Sequence, residues 1–412
     1  MKPCEIYRKV KLWGLKGILD YFRRTKTQKE LINFFLENAK LNTPRQSGIT
    51  IIGNLSSQNS ISKTLRDFAF SLKDANIPFQ TFDYGEQAIP PEDIKPILTP
   101  KEEFRIKRYD HIIEMLSSPL PDGIVEKRGR ILFWEFEHGL LETYPILAER
   151  PGDVISMSSF NFQYYHSELK GKRDVFKILY PLRVQRKSIP TKVDSRKQFG
   201  FANEDFIVFY NFSLDSGYHR KNPLGVLQVF ALAFSDMPYA KLVFKISHVK
   251  GHEDRENEIL SFAKKHGFEH RLVLLKDYLP QKDIFSLTNT CDVYLSMHRS
   301  EGFGLGIAEA MSLGKAVIVT DYSSVTEFCK PNNSILVPAR LIPITPNQFE
   351  HPWYKVAKEW ADPDINSAVV ALKNLYANTS LRLRIGLNAQ QFINDYFSIE
   401  NFQKSVVEYL NH

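Results

Sequence analysis

Apolar, β-branched runs alternate with helix-like stretches along most of the chain. The run at 48–53 predicts a short buried strand ending in glycine, and a helix pattern follows from about Ser60 to Ala75. The other predicted strands are 123–125, 131–134, 154–157, 206–210, 241–245, 271–275, 293–296 and 316–320. Strand and helix in alternation are typical of parallel sheets covered by helices on both faces. The polar, turn-rich stretch at 181–200 separates two such groups and is interpreted as a linker.

The composition places the chain among ordinary globular proteins. Of its 412 residues 43% are hydrophobic and 25% charged, with 20 Gly and 22 Pro, which excludes collagen-like and disordered classes. No run approaches the roughly 18 apolar residues of a membrane span and no signal core is present, so we expect a cytosolic protein. The three cysteines, Cys4, Cys291 and Cys329, lack metal-ligand spacing and predict neither a zinc site nor a disulfide framework.

Positive charge is concentrated in an arm at residues 1–46. Eleven Lys or Arg stand there against four acidic residues, which accounts for the whole net charge of +7 and leaves the rest of the chain neutral. This argues against a nucleic-acid surface on the body. The arm carries two helical apolar stripes, one of Leu12, Leu15, Leu19 and Phe22 and one of Ile32, Phe35, Leu36 and Ala39. Three interpretations stay open: a helix docked on the body, contact with an anionic membrane surface, or a polyanionic partner.

The most informative segment is the glycine-rich string at 298–311, which follows a strand and opens a helix. Gly302, Gly304 and Gly306 allow close approach of a ligand, and the amides at the start of a helix favour a diphosphate. Glu301 and Glu309 bracket this string. Because a carboxylate repels a diphosphate, sugar hydroxyls are the better partners for both glutamates.

A second candidate is the basic turn at Arg220 and Lys221, between a strand and a helix. When a nucleoside diphosphate leaves, negative charge develops on its phosphates. A pair of cations stabilises that charge without a metal ion, so these two residues are predicted to act on the leaving group.

The string 300–311 resembles the E-x7-E signature of family 4 glycosyltransferases of the GT-B architecture. The flanking stretches 292–296, 314–320 and 360–364 resemble members that act on bacterial surface polysaccharides. The resemblance implies an α/β fold of two doubly wound, Rossmann-like domains facing an interdomain cleft, with the N-terminal helical arm. The implied segments are the basic arm at 1–46, an acceptor domain at 47–190, a nucleotide-sugar domain at 191–390 and a C-terminal helix at 391–412 that crosses back to the first domain.

The resemblance also implies roles for particular residues. Glu301 would lie near donor-sugar hydroxyls and Glu309 near the ribose, while the backbone of Gly302, Phe303, Gly304 and Leu305 would hold phosphate and sugar. Arg220 and Lys221 resemble the family's phosphate clamp.

The loop after the strand at 131–134 resembles the family's Trp-Glu stretch that faces the acceptor. A carboxylate or imidazole there can orient or deprotonate an acceptor hydroxyl. Only one of Glu135 and Glu137 can face the cleft, and Glu137 fits the motif better. His138 is either an acceptor residue or a contact of the donor sugar.

These observations predict a metal-independent hexosyltransferase, retaining by resemblance, that moves a sugar from a GDP- or UDP-sugar to a carbohydrate or lipid-linked acceptor. No further cofactor and no nucleic-acid partner are predicted. The expected location is the cytoplasm, with peripheral contact at the inner membrane face through residues 1–46. The alternatives are a nucleotide-sugar epimerase on the same fold and a non-catalytic carbohydrate-binding protein.

Overall fold

The computed structural model describes residues 27–57, 59–85, 92–115, 120–149, 151–184, 186–235 and 237–412. Two six-stranded sheets and a two-stranded hairpin carry the strands. These are β1 (Gln46–Gly53), β2 (Phe79–Asp83), β3 (Tyr109–Met115), β4 (Lys127–Ile131), β5 (Asp153–Ser156), β6 (Val175–Lys177), β7 (Phe206–Ser213), β8 (Ala240–Ser247), β9 (Leu272–Leu275), β10 (Val293–Ser296), β11 (Ala316–Thr320), β12 (Ile335–Val337), β13 (Ala339–Pro343) and β14 (Glu359–Pro363).

Helices occupy most of the connections between these strands. They are α1 (27–39), α2 (Ser60–Asp74), α3 (Leu140–Thr143), α4 (Ile146–Glu149), α5 (Ser159–Glu168), α6 (Lys192–Gln198), α7 (Tyr218–Lys221), α8 (Pro223–Ala233), α9 (Glu253–Lys265), α10 (Gln281–Thr290), α11 (Leu305–Ser312), α12 (Tyr354–Ala357), α13 (Ile365–Ala377), α14 (Thr379–Tyr396) and α15 (Ile399–Leu410). In the part of the chain that is described, no helix combines the length and the apolar composition needed to cross a bilayer.

The first sheet has the strand order β2-β1-β3-β4-β5-β6, and the second has the order β12-β11-β10-β7-β8-β9. The α/β class with two doubly wound parallel sheets, predicted from the alternating pattern, is confirmed. Compact packing divides the chain into two units. The first unit comprises Met1–Leu132, Arg150–Ile155 and Leu410–His412, and the second comprises Phe133–Glu149 and Ser156–Tyr409. The predicted domain boundaries and the interdomain cleft stay predictions.

In the first unit, α1 packs against the core. The Phe35 ring is fully buried beside Phe82 and Phe104, and Asn38 donates through Nδ2 to the Phe104 carbonyl at 3.0 Å. The second stripe of the arm is therefore docked on the body, although Leu36 is 44% exposed and does not belong to the packed face. The first stripe lies outside the described residues.

Two predicted elements of the first unit are wrong. Residues 123–125 form a turn. The strand expected at 131–134 is shifted, since β4 begins at Lys127 and ends at Ile131. Because the sequence of β4 is polar, a search for hydrophobic runs does not identify it as a strand. Its two arginines are buried because acids pair with them: Arg130 lies 3.3 Å from Glu114, and Arg128 lies 2.8 Å from Asp122.

In the second unit, the stretch interpreted as a linker contains α6, which packs against α10. Arg196 of α6 donates to the Thr290 carbonyl at 3.1 Å and pairs with Asp292 at 2.8 Å. These contacts fix α6 beside the start of β10. The strands predicted at 206–210, 241–245, 271–275, 293–296 and 316–320 correspond to β7 to β11.

Candidate active site

The second sheet changes direction between β7 and β10. From β7 the chain adds β8 and β9 on one side, and from β10 it adds β11 and β12 on the other. Ligands of open α/β sheets bind at such a switch point, beyond the carboxyl ends of the strands. The loop after β7 carries Arg220 and Lys221, and the loop after β10 carries Glu301. The topology therefore brings the two basic residues and the glutamate to one place.

Arg220 is held in place chiefly by backbone carbonyls. Its Nε and Nη2 atoms donate to the Ser216 carbonyl at 3.1 and 2.6 Å, and Nη1 donates to the Ser300 carbonyl at 2.8 Å. The side chain is buried, and nearby carboxylates raise its pKa even though burial alone would lower it. The guanidinium is thus a permanent, oriented positive charge.

Lys221 and Glu301 form a short ion pair beside Arg220. The Lys221 Nζ atom lies 2.5 Å from Glu301 Oε1, and Arg220 Nη1 lies 3.6 Å from Oε2. Burial raises the pKa of Glu301, but Lys221 and Arg220 outweigh it and lower the pKa to about 2. The Ser323 hydroxyl accepts the backbone N–H of Glu301 at 2.9 Å, which fixes the start of the glycine-rich loop. Glu301 is therefore an ionised carboxylate with a defined orientation.

Of the two glutamates after β4, it is Glu135 that lies beside the cations. Its Oε1 atom is 3.6 Å from Arg220 Nη2. Glu137, which the motif favoured, is exposed. Burial is the main cause that raises the pKa of the Tyr322 phenol, and the Glu137 carboxylate contributes to that rise. His138 lies 3.8 Å from Glu359. The predicted roles of Glu137 and His138 stay predictions.

Backbone geometry explains the glycines of the loop. Gly304 has φ of +89°, in the left-handed region, and a Cβ there would lie 2.5 Å from Val325 Cγ1. A Cβ on Gly306 would lie 2.4 Å from Asn211 Oδ1. These two positions allow α11 to begin at Leu305 close to β7 and β10. The Ile307 and Ala308 amides donate to the Gly304 carbonyl at 3.0 and 3.1 Å, and the first amides of a helix in general suit an anionic group.

Side chains from earlier in the second unit anchor the same loop. The Phe303 ring stacks on Tyr180 with centroids 4.1 Å apart, and Asn161 Nδ2 donates to the Gly302 carbonyl at 2.9 Å. The Phe303 ring is therefore buried, and the predicted contact of its backbone with phosphate and sugar stays a prediction. No motif in the sequence indicated the bond between Asn161 and Gly302.

Glu309 lies within α11 and is buried. Its Oε1 atom accepts from Gln281 Nε2 at 3.3 Å. Burial is the main cause that raises the pKa of the Tyr294 phenol, and Glu301 and Glu309 both contribute, so Tyr294 stands near both carboxylates. Glu309 thus contacts α10 through Gln281, and its predicted role toward the ribose stays a prediction.

The hairpin of β13 and β14 supports the loop that carries Arg220. No sequence motif indicated this support. Glu350 accepts the His219 backbone N–H at 3.0 Å, and a Cβ on Gly217 would lie 2.0 Å from the Tyr354 hydroxyl. The hairpin also packs Trp360 under the Arg299 guanidinium at 5.4 Å. These contacts fix the segments on both sides of the cationic pair.

The Asp362-Pro363-Asp364 stretch has a structural role. Asp364 caps α13 by accepting the Ser367 N–H at 2.6 Å, and Asp362 lies 3.7 Å from Arg299. Within the described ranges, no three His, Cys, Asp or Glu side chains come together in a group that could hold a metal ion. Metal independence stays a prediction.

One family model matches the chain. Residues 192–342 match the family described as glycosyl transferases group 1, a segment that includes Arg220, Lys221, Glu301 and Glu309. No curated protein sequence matches the chain.

Solved structures of glycosyltransferases share the fold. HepE from Anabaena, solved with UDP and glucose, is similar with a TM-score of 0.62 and 16% identity over 89% of this chain and 100% of HepE. TarM from S. aureus, solved with UDP, fondaparinux and alpha-GlcNAc-glycerol, has a TM-score of 0.54 and 15% identity over 73% of this chain, which spans only 55% of TarM. WaaG, a glycosyltransferase involved in lipopolysaccharide biosynthesis, has a TM-score of 0.58 and 10% identity over 87% of this chain and 98% of WaaG. The chain has the predicted GT-B fold.

Proposed function

We propose that the protein is a glycosyltransferase that moves a sugar from a nucleoside-diphosphate sugar to a carbohydrate or lipid-linked acceptor. The observation that carries this proposal is the placement of Arg220 and Lys221 beside Glu301, at the switch point of the second sheet and next to the glycine-rich start of α11. The glycosyl transferases group 1 match over the same residues and the UDP complexes of HepE and TarM support it.

The leaving diphosphate would be held by the cations and by the first amides of α11. Cleavage of the bond between the anomeric carbon and the phosphate oxygen leaves negative charge on the nucleotide. Arg220 is already oriented by two carbonyls, so it stabilises this charge with little reorganisation. Lys221, released from part of its contact with Glu301, adds a second charge-assisted hydrogen bond.

The carboxylates would recognise hydroxyl groups. Glu301 is ionised and held beside the cations, where it can accept hydrogen bonds from donor-sugar hydroxyls, and Glu309 can accept from the ribose. Retention of configuration, a hexosyl donor, metal independence and membership of family 4 belong to this proposal and rest on the resemblance of the 300–311 string.

The wider assignment is also proposed. UDP is the first donor nucleotide to test, because HepE and TarM were solved with it, and GDP is the second. A role in surface-polysaccharide synthesis is supported by the likeness to WaaG. We place the enzyme in the cytoplasm, at the inner membrane face, with residues 47–190 on the acceptor side and residues 191–390 on the donor side.

A thermal-shift series tests the donor assignment. GDP, UDP, ADP and their common sugar conjugates are added to the wild type and to the Lys221→Ala and Glu309→Ala variants. A nucleotide at 100 times its Kd stabilises the native state by about 2.7 kcal/mol. We expect one nucleotide to stabilise the wild type and to stabilise both variants less. Absence of a shift with every nucleotide would contradict the donor site.

The two alternatives are separated by product analysis. An epimerase isomerises the sugar of the bound nucleotide and transfers none of it, whereas a transferase releases the nucleotide and glycosylates an acceptor. A non-catalytic binding protein keeps its function when Glu301 is replaced by Gln.

A further inference from the structure

A lysine lies inside the second sheet, at a position where an apolar side chain is expected. Lys245 belongs to β8 and is only 4% exposed, and its neighbours Phe244 and Ile246 are fully buried. Strands of a parallel sheet are covered on both faces and are therefore apolar as a rule. Arg220 and Lys221 supply the positive charge of the proposed donor site, and Lys245 is a further cation of the same unit.

The Lys245 ammonium has a weak partner. Its Nζ atom donates to the Ile246 carbonyl at 3.2 Å, and across the described ranges no carboxylate oxygen lies within 4.0 Å of it. Burial lowers the pKa of Lys245, and the exposed Asp277 offsets this effect only in part. The charge is thus buried without a close counter-ion.

The other buried lysines of the described segments have closer partners. Lys63 pairs with Asp67, and Lys315 donates to the Asn289 carbonyl at 2.7 Å. An ammonium that is buried without a close partner lowers the free energy of unfolding. Residues that lower stability in this way are typical of binding and catalytic sites, where a ligand supplies the missing partner.

The strand register shows which face of the sheet carries Lys245. It lies opposite Asn211 of β7, and paired residues of neighbouring strands point to the same face. Asn211 faces the start of α11, because its Oδ1 atom accepts from the Tyr294 phenol at 2.5 Å and would lie 2.4 Å from a Cβ on Gly306. Lys245 is therefore on the face that carries the glycine-rich loop, two residues before the carboxyl end of β8.

The position of β8 in the sheet places Lys245 beside the nucleoside half of the proposed donor site. Arg220 and Lys221 follow β7 and lie next to the loop after β10, where the phosphate that leaves the sugar would be held. Lys245 is one strand further from β10. Gln281 of α10 donates to Glu309 of α11, the proposed ribose contact. A nucleotide held by both groups has its nucleoside-linked phosphate between them, on the side of Lys245.

We propose that Lys245 binds the phosphate that is attached to the nucleoside, as a third cation of the donor site. Its ammonium donates a charge-assisted hydrogen bond and keeps the nucleotide in place when the sugar leaves. An anion is the matching partner and the neutral base is not, because only an anion offsets a desolvated positive charge. The inference rests on the proposed glycosyltransferase function, and it assigns to that function a residue outside both the glycine-rich string and the basic turn.

Ligand-observed NMR titrations of the full chain test this assignment. The probes are UDP, UMP and uridine, and GDP, GMP and guanosine replace them if the thermal-shift series selects GDP. The variant is Lys245→Met, which keeps an unbranched side chain and removes its charge. Lys241→Met is the matched control, because Lys241 lies four residues earlier on the same strand, at its amino end, and pairs with Asp205 at 2.7 Å.

We expect Lys245→Met to bind UDP and UMP about 10- to 100-fold more weakly than the wild type does, because both carry the nucleoside-linked phosphate. Uridine has no phosphate and should bind both proteins equally. The ligand-free variant should unfold at the Tm of the wild type or above it, because an unmatched buried charge is removed. Lys241→Met should bind all three probes as the wild type does.

Unchanged UDP and UMP affinities in Lys245→Met would overturn the inference. Equal weakening of all three probes would overturn it as well, because it would indicate contact with the base or a general loss of structure. The proposed transferase function survives both results, since the wild type still binds the nucleotide. If no nucleotide binds the wild type, the proposed donor site fails and the role of Lys245 fails with it.

Discussion

Backbone carbonyls fix the orientation of the Arg220 guanidinium, whereas the nearby carboxylates contribute mainly a negative electrostatic potential. Two carbonyls accept three of its hydrogen bonds, at 2.6 to 3.1 Å, whereas Glu135 and Glu301 each approach only to 3.6 Å. The guanidinium therefore keeps its orientation when the carboxylates move. Lys221 differs, because its main partner is Glu301 itself.

Removal of the Lys221 ammonium is expected to weaken nucleotide binding. In Lys221→Met the diphosphate loses a charge-assisted hydrogen bond, which contributes about 1.5 to 3 kcal/mol, so we expect UDP affinity to fall by about 10- to 100-fold. Isothermal titration measures this. Lys282→Met, which removes an exposed lysine of α10, is the control. Equal weakening in both variants would falsify the assignment.

Glu135 and Glu137 are expected to respond in opposite ways. Glu135→Gln removes one of the two carboxylates that share Arg220, so the cations attract a diphosphate more strongly and UDP affinity rises several-fold. Glu137→Gln leaves UDP affinity unchanged, because it is Glu135, and not the exposed Glu137, that lies 3.6 Å from Arg220 Nη2. Isothermal titration with UDP measures the affinity of both variants. A rise in UDP affinity for Glu137→Gln and none for Glu135→Gln would reverse the two roles.

His298 is expected to contribute to acid sensitivity. The imidazole is fully buried between Ser296 and the Tyr322 carbonyl, and burial lowers its pKa from 6.5 to about 4. The folded protein therefore binds a proton less readily than the unfolded chain does. The stability from this group is complete above pH 6.5 and is lost as the pH falls toward 4.

The prediction concerns the slope of Tm against pH. We expect Tm of the wild type to fall between pH 6.5 and pH 4.5 and Tm of His298→Asn to fall less steeply, because the variant has no buried imidazole to protonate. His270→Asn, at an exposed position, should keep the wild-type slope. Identical slopes in all three proteins would show that His298 does not titrate in this range.

Among the elements, the entry into α11 depends most on a single residue type. Gly304→Ala introduces left-handed strain of about 1 to 2 kcal/mol and a Cβ only 2.5 Å from Val325 Cγ1. Gly267→Ala is the matched control, because Gly267 has φ of +70° and no atom within 4 Å of an added Cβ. We expect a clearly larger loss of Tm in Gly304→Ala, together with loss of UDP binding. Equal losses would mean that strain alone acts at Gly304.

Elements with continuous apolar strands were predictable, and elements held by paired charges were not. β7 to β11 follow from β-branched runs, because both faces of a parallel sheet are buried. β4 was not predicted because its buried residues Arg128 and Arg130 depend on ion pairs with Glu114 and Asp122, which lie in other segments. The β13–β14 hairpin was also not predicted, because Arg340, Glu359 and Asp362 interrupt its strands and leave no continuous apolar run.

The candidate site shows the same division. Arg220, Lys221, Glu301 and the glycines were found because their chemistry is local to two loops. The pairing of Glu135 with Arg220 could not be predicted. The alternation of side chains in an extended chain shows that Glu135 and Glu137 point in opposite directions, but it does not show which of them faces the cation. Asn161, which bonds to the Gly302 carbonyl, carries no charge or motif that would have singled it out.

Over the whole molecule, charge is distributed unevenly along the chain. The arm at residues 1–46 holds eleven basic and four acidic residues, and the other residues are balanced. Its second stripe is docked in the first unit through Phe35. In the described part of the arm, Lys29, Lys40 and Arg45 are exposed, so docking of α1 is compatible with contact between these residues and an anionic surface.

We expect the full chain to bind anionic vesicles through the arm. Each basic residue near a phosphatidylglycerol surface contributes about 1 kcal/mol, and the attraction is screened when salt shortens the Debye length. Co-sedimentation should therefore show binding to phosphatidylglycerol vesicles at low salt, loss at 0.5 M salt as the Debye length falls toward about 4 Å, and none to phosphatidylcholine. Replacement of Lys2, Lys9, Lys11 and Lys16 by glutamine should abolish it. Replacement of four exposed lysines of the body, Lys170, Lys172, Lys264 and Lys265, changes net charge equally and should leave it intact. Equal loss in both variants would assign the attraction to overall charge and not to the arm.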